Sequence, residues 1–94
     1  MKRIEFSVVG FKFNDSNPNV LMECDTIELI PEPENPFDPN AVKVIVDGKK
    51  SGHIASKYCK RILNILQEHI DFSIGVMDIY PASARCELYL DDNQ

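Results

Sequence analysis

Four prolines fall within ten consecutive positions, Pro31-Glu32-Pro33-Glu34-Asn35-Pro36-Phe37-Asp38-Pro39-Asn40, and no other feature limits the fold of this chain so sharply. Each proline fixes φ at about −65° and biases the residue before it away from the helical region, so neither a helix nor a central strand can run through the segment. The segment must be a loop, and a stiff one. Side chains carried on such a corner are held in fixed directions.

On both sides of the corner the hydrophobic pattern has a period of two. Ile4–Phe13 alternates loosely in aromatic and β-branched residues and predicts a strand bent at Gly10. Asn14–Asn19, with Pro18, breaks it. Thr26–Ile30 predicts a second short strand, ended by Pro31, which has no N–H for a central ladder. Val42, Val44 and Val46 alternate with Lys43 and Ile45, and Asp47-Gly48 supplies the turn of a β-hairpin that returns through Ser51-Gly52-His53-Ile54.

The period then changes. Cys59, Ile62, Leu63, Leu66 and Ile70 recur at three- and four-residue steps and predict a helix over Ser56–His69, with Ser56 as its N-cap. Its wet face would carry Lys57, Lys60, Arg61, Asn64 and Gln67. Phe72–Tyr80 and Ala84–Leu90 alternate again and form a final hairpin through Pro81-Ala82-Ser83. The order β, β, hairpin, helix, β, β in 94 residues predicts one mainly β domain spanning 1–94. Its architecture would be a small curled sheet or an OB-like β-barrel with one helix, closed to limit exposed edges.

Ten basic against fifteen acidic side chains leave a net charge of −5, which argues against sequence-blind adhesion to nucleic acid by charge alone. The average conceals an asymmetry. Glu23–Asp47 holds seven acids and one base, Lys43, whereas Gly48–Gln67 holds five bases and no acid, so a local positive surface fits on an acidic protein.

Other function classes are disfavoured by what is missing. Cys24, Cys59 and Cys86 are odd in number and form no CxxC pair, and adding His53 and His69 gives no zinc-ligand spacing. Reduced, mostly buried thiols are expected, with no metal and no cofactor. No apolar run approaches the roughly 18 to 20 residues of a membrane span, and Glu5 interrupts the start before any signal-like stretch. A cytoplasmic location without membrane insertion is expected. No GxSxG, HExxH, P-loop or DxD pattern occurs, and Ser51, Ser56 and Cys59 lack an elbow or a base partner, so a binding module is expected rather than an enzyme.

Val8-Val9-Gly10 ahead of Lys12 and Phe13, the run Glu32-Pro33-Glu34-Asn35-Pro36-Phe37-Asp38-Pro39-Asn40-Ala41-Val42-Lys43-Val44, and Gly52-His53-Ile54-Ala55 before a helix together resemble the HIRAN domain, from about Phe6 to Leu90. The resemblance implies an OB-like β-barrel with one or two helices, the second no more than a short turn. Such domains occur fused to DNA-remodelling helicases, ubiquitin ligases and nucleases, and also alone. Its best-understood members capture the free 3′ end of single-stranded DNA. By that resemblance Asp38 would accept a hydrogen bond from the terminal 3′-hydroxyl, Phe37 and Phe13 would hold the terminal nucleotide, and Lys12 and His53 would meet phosphate. Ser56 stands where the family often has a lysine or arginine, and Lys57 beside it could substitute. Lys12, Phe13 and Phe37 replace the arginine and tyrosines common in the family, which removes a bidentate phosphate contact and two phenol hydroxyls.

Elementary chemistry is compatible with these roles. An ionised aspartate only accepts hydrogen bonds, so it suits a terminal hydroxyl and repels a phosphate in the same place. Aromatic faces stack on any base, for about 1 to 3 kcal/mol each, without reading sequence. Asn40, on the same loop, is counted with these residues as a candidate DNA contact, and structural readings stand beside all of them. Phe13 and Phe37 could be core residues, Asp38 and Asn40 could bond their own loop in an Asx turn, His53 could be a structural histidine, and Lys57 part of a solvated helix face. The function expected is a non-catalytic module that binds a single-stranded DNA end in DNA repair or processing and positions a DNA-processing protein there. The alternative is a protein-interaction module that has lost DNA binding.

Overall fold

A computed structural model of the chain describes residues 2–68 and 71–90. Strand β1 (Lys2–Val9) is followed by a 3₁₀ turn (Phe11–Asn14), a short helix α1 (Val20–Glu23), and strands β2 (Ile27–Pro31), β3 (Val42–Val46) and β4 (Lys49–Ile54). Helix α2 (Ser56–Gln67) then leads to β5 (Phe72–Ile79) and β6 (Ala84–Leu90). The six strands form one sheet in the order β2-β3-β4-β1-β6-β5, and every pairing is antiparallel. The sheet curls into a half-barrel of OB-like form, with β2 and β5 as its outer strands.

The period-two pattern becomes the inner surface of that curl. Ile4, Phe6 and Val8 of β1, Val42, Val44 and Val46 of β3, and Ala84, Cys86, Leu88 and Leu90 of β6 are all buried. Cys59, Ile62 and Ile65 of α2 close over them, and Phe11 and Leu21 complete the same cluster. The Asp47-Gly48 turn has positive φ at both residues, 49° and 83°, as a two-residue hairpin with a right-handed twist requires.

Two glycines set the geometry of the site. Gly10 has φ of 78°, which ends β1 and turns the chain into the 3₁₀ turn. Phe11, Lys12 and Phe13 therefore leave the strand that the alternation predicts. Gly52 is buried where β1 crosses β4, and a Cβ there would stand 2.7 Å from the Val9 carbonyl oxygen.

Other expectations shift by small amounts. Ser56 is the first helical residue rather than the N-cap; Ala55 holds that position, with ψ of 138° and no side-chain cap bond. Leu63 is only half-buried and Ile65 takes its place in the core. Lys57, Lys60, Arg61, Asn64 and Gln67 face solvent. The predicted helix end at His69, and Ile70 beyond it, lie outside the described residues. Among the described residues, no helix is long and apolar enough to cross a membrane, and no three His, Cys, Asp or Glu side chains are grouped to hold a metal.

Candidate nucleic-acid interface

The proline-rich corner is held by its own side chains. Asn35 Oδ1 accepts the backbone N–H groups of Phe37 at 2.9 Å and of Asp38 at 3.1 Å. Asp38 Oδ1 in turn accepts the Asn40 N–H at 2.9 Å, and the Asp38 carbonyl accepts from Ala41 at 3.0 Å. Two Asx turns in succession thus stiffen a segment already limited by four prolines. Asparagine 35 carries the first turn, and sequence reasoning missed it. Asn40, read as a bonding side chain, contributes only its backbone N–H among the described residues.

The self-bonding leaves Asp38 half its capacity. Among the described residues Oδ2 takes part in no hydrogen bond, so one carboxylate oxygen braces the loop and the other is free to accept. Burial pushes the Cys59 thiol in the first turn of α2 up, and the charge of Asp38 adds to that. Ser56 and Lys57 are exposed on that turn, with Lys57 Nζ 5.0 Å from the centre of the Tyr58 ring.

Phe37 stands beside Asp38 with 95% of its surface exposed, and Phe13, on the 3₁₀ turn, is 91% exposed. The core reading of both rings is therefore wrong. Nothing local anchors them: Phe37 follows Pro36 on a tight turn that projects outward, and Phe13 lies two residues past Phe11, which takes the buried direction. Lys12 and Phe13 line an open cleft of about 430 Å³ with Gly10, Pro18, Pro81 and Ala82. Asn14 fixes this turn by donating to the Gly10 carbonyl at 2.9 Å.

His53 sits on the outer face of β4, opposite Lys43 of β3 and Val9 of β1 in the ladder. Its Nε2 is 2.8 Å from Glu32 Oε1, and Lys50 Nζ is 3.3 Å from Glu32 Oε2. Glu32 thus ties the base of the proline corner to β4. Burial alone would raise its carboxyl, but the hydrogen bonds from His53 and Lys50 outweigh that and hold it below the usual glutamate value. A second cleft, about 490 Å³, runs along Pro31, Glu32, Asn35 and Pro36 beside Lys43 and Lys50. Three segments therefore carry the expected contact residues: the 3₁₀ turn, the proline corner, and β4 with the start of α2. The 3₁₀ turn lies against β4, and Glu32 links β4 to the corner.

Comparison with known proteins gives the family of the chain and a matching fold. The family model for the HIRAN domain matches residues 1–91. A Fanconi-associated nuclease 1 homolog from Oryza sativa subsp. japonica is 26% identical over 103 residues, covering 97% of this chain and 10% of that protein. The chain thus spans about a tenth of the length of this curated relative. The crystal structure of the HIRAN domain of human HLTF superposes with a TM-score of 0.69 at 19% identity, over 94% of this chain and 74% of that one.

Proposed function

This chain belongs to the HIRAN domain family, and from that premise we propose that it is a non-catalytic DNA-binding module that captures the free 3′-hydroxyl end of single-stranded DNA. The observation that carries the reading is the exposure of Phe13 and Phe37. Among the described residues they are the two most exposed large apolar side chains, and they are the two that the family motif sets around a terminal nucleotide. Folding gains almost nothing from them, so their value lies in what they can stack on.

Asp38 gives the arrangement its preference for an end. The unbonded Oδ2 accepts from a hydroxyl, while a continuing strand would bring a phosphate against the same negative charge. Lys12, His53 and Lys57 supply positive or proton-donating groups for two or three phosphates, and Ser56 a hydroxyl at the start of α2. Few phosphate contacts on a chain of net charge −5 make the binding modest. Log affinity should fall with log salt at a slope of about −1.5 to −2. The context would be DNA repair or processing, with a processing protein positioned at the captured end.

Fluorescence titration of one oligonucleotide ending in a 3′-hydroxyl and one ending in a 3′-phosphate tests the reading. Tighter binding of the hydroxyl end is expected; equal affinity, or none for either, removes end capture. One observation favours a second reading: β2 and β5 end the sheet as outer strands, and a partner chain could add a strand there. A nuclease-insensitive protein partner, recovered without DNA retention, would support that alternative.

A further inference from the structure

Glu32 is not among the groups assigned to the DNA end, yet it makes the one side-chain hydrogen bond that His53 has among the described residues. Its backbone is fixed, since its N–H donates to the Ala41 carbonyl at 2.8 Å. Both carboxylate oxygens are engaged, one by His53 and one by Lys50. A carboxylate cannot donate, so the proton of this contact belongs to His53 Nε2. The other ring nitrogen points elsewhere: Nδ1 lies 3.8 Å from the position a Cβ on Gly10 would occupy. It is thus turned toward the corner where β1 passes into the 3₁₀ turn bearing Lys12 and Phe13.

We propose that Glu32 is a positioning residue that fixes the His53 ring, with the Nε2 proton on its own carboxylate and Nδ1 presented to the Gly10–Lys12 corner, so that capture of a DNA phosphate there takes up one proton. The second half rests on the end-capture reading; the first does not. A neutral His53 has a single ring proton, already directed at Glu32. A phosphate oxygen only accepts, so a contact at Nδ1 needs a second proton, drawn from solvent, and the ring becomes an imidazolium. Charges around the ring decide whether that is tolerable. Lys43 from β3, Lys50 from β4 and Lys12 from the 3₁₀ turn oppose it, Val9 from β1 is neutral, and Glu34 shares the cleft with Lys43 and Lys50. Glu32 is the carboxylate in direct contact, and it compensates the new charge.

The test uses the full chain and its Glu32→Gln and Glu32→Asp variants. Long-range 15N NMR of the DNA-free protein reads which ring nitrogen of His53 holds the proton, and titrations with a short 3′-hydroxyl oligothymidylate between about pH 5.5 and 8 read the coupling. Wild type should show the Nε2–H form and lose affinity toward tenfold per pH unit on the alkaline side. Glu32→Gln should lose the tautomer preference, bind about tenfold more weakly at low pH and flatten the slope, with Glu32→Asp restoring part of each. An Nδ1–H form in wild type, or a Glu32→Gln variant with unchanged tautomer and slope, overturns the positioning role. Affinity independent of pH overturns the phosphate half alone. Absence of binding at every pH overturns that half together with end capture, while the NMR result still decides what Glu32 does to the ring.

Discussion

Replacing Phe37 or Phe13 by alanine separates folding from binding, because their exposure fixes what folding can lose. A wholly buried aromatic side chain hides about 200 Å², so exposures of 95% and 91% leave about 10 and 18 Å² hidden. At ~25 cal/mol per Å² the expected loss of stability is about 0.3 and 0.5 kcal/mol. A buried ring behaves differently. Phe6 is 1% exposed, and Phe6→Ala should cost about 3 to 5 kcal/mol. Against DNA the order reverses: losing a stacking partner worth about 1 to 3 kcal/mol weakens binding roughly 5- to 150-fold. Urea denaturation and anisotropy titration on the same three variants give both quantities. The reasoning is refuted if Phe37→Ala and Phe13→Ala lower stability by more than about 2 kcal/mol, or if both leave affinity unchanged.

Gly52→Ala forces a methyl group against the Val9 carbonyl oxygen, so it should lower stability by about 1 to 3 kcal/mol in denaturant titration, as overpacking does. Burial pushes all three thiols up, Cys86 to about 11, and only Cys24 is partly exposed. Native protein treated with a thiol reagent near neutral pH should label Cys24 first, with Cys59 and Cys86 labelled after unfolding, as read by mass spectrometry. Because the folded Glu32 carboxyl lies below its ordinary value, its contribution to stability is present above about pH 4.3 and is lost as pH falls through the folded value. Wild type should therefore exceed Glu32→Gln in stability at neutral pH, and the gap should narrow in thermal melts as the pH is taken progressively below the ordinary glutamate range.

What the sequence discloses here divides by range of interaction. The Asp47-Gly48 hairpin, the buried valines of β3 and the final hairpin follow from neighbours within a few residues, and each forms where the pattern predicts. Gly10 was legible as a bend, but only its left-handed φ shows that Phe11–Phe13 leave the sheet. In α2, Leu63 and Ile65 fit a three- and four-residue spacing almost equally, and only the packed fold shows that Ile65 is the buried one. Asp38 braces Asn40 as expected, whereas the other Asx turn falls on Asn35 rather than Asn40, because such a side chain braces backbone ahead of it. Composition points Phe13 and Phe37 inward; their place in the family motif, not their type, pointed to the surface. Glu32 and His53 are 21 positions apart, and no local rule pairs them.

The central claim is that Asp38 distinguishes a terminal hydroxyl from a phosphate. Asp38→Asn tests it most directly, because asparagine keeps the oxygen that accepts the Asn40 N–H at 2.9 Å and replaces the charged, accepting Oδ2 by an uncharged amide group that donates. Affinities of wild type and variant for 3′-hydroxyl and 3′-phosphate oligonucleotides should then show a hydroxyl preference that the variant loses, with the phosphate end bound more tightly than by wild type. A folded variant with the same ratio of the two affinities as wild type would contradict the account.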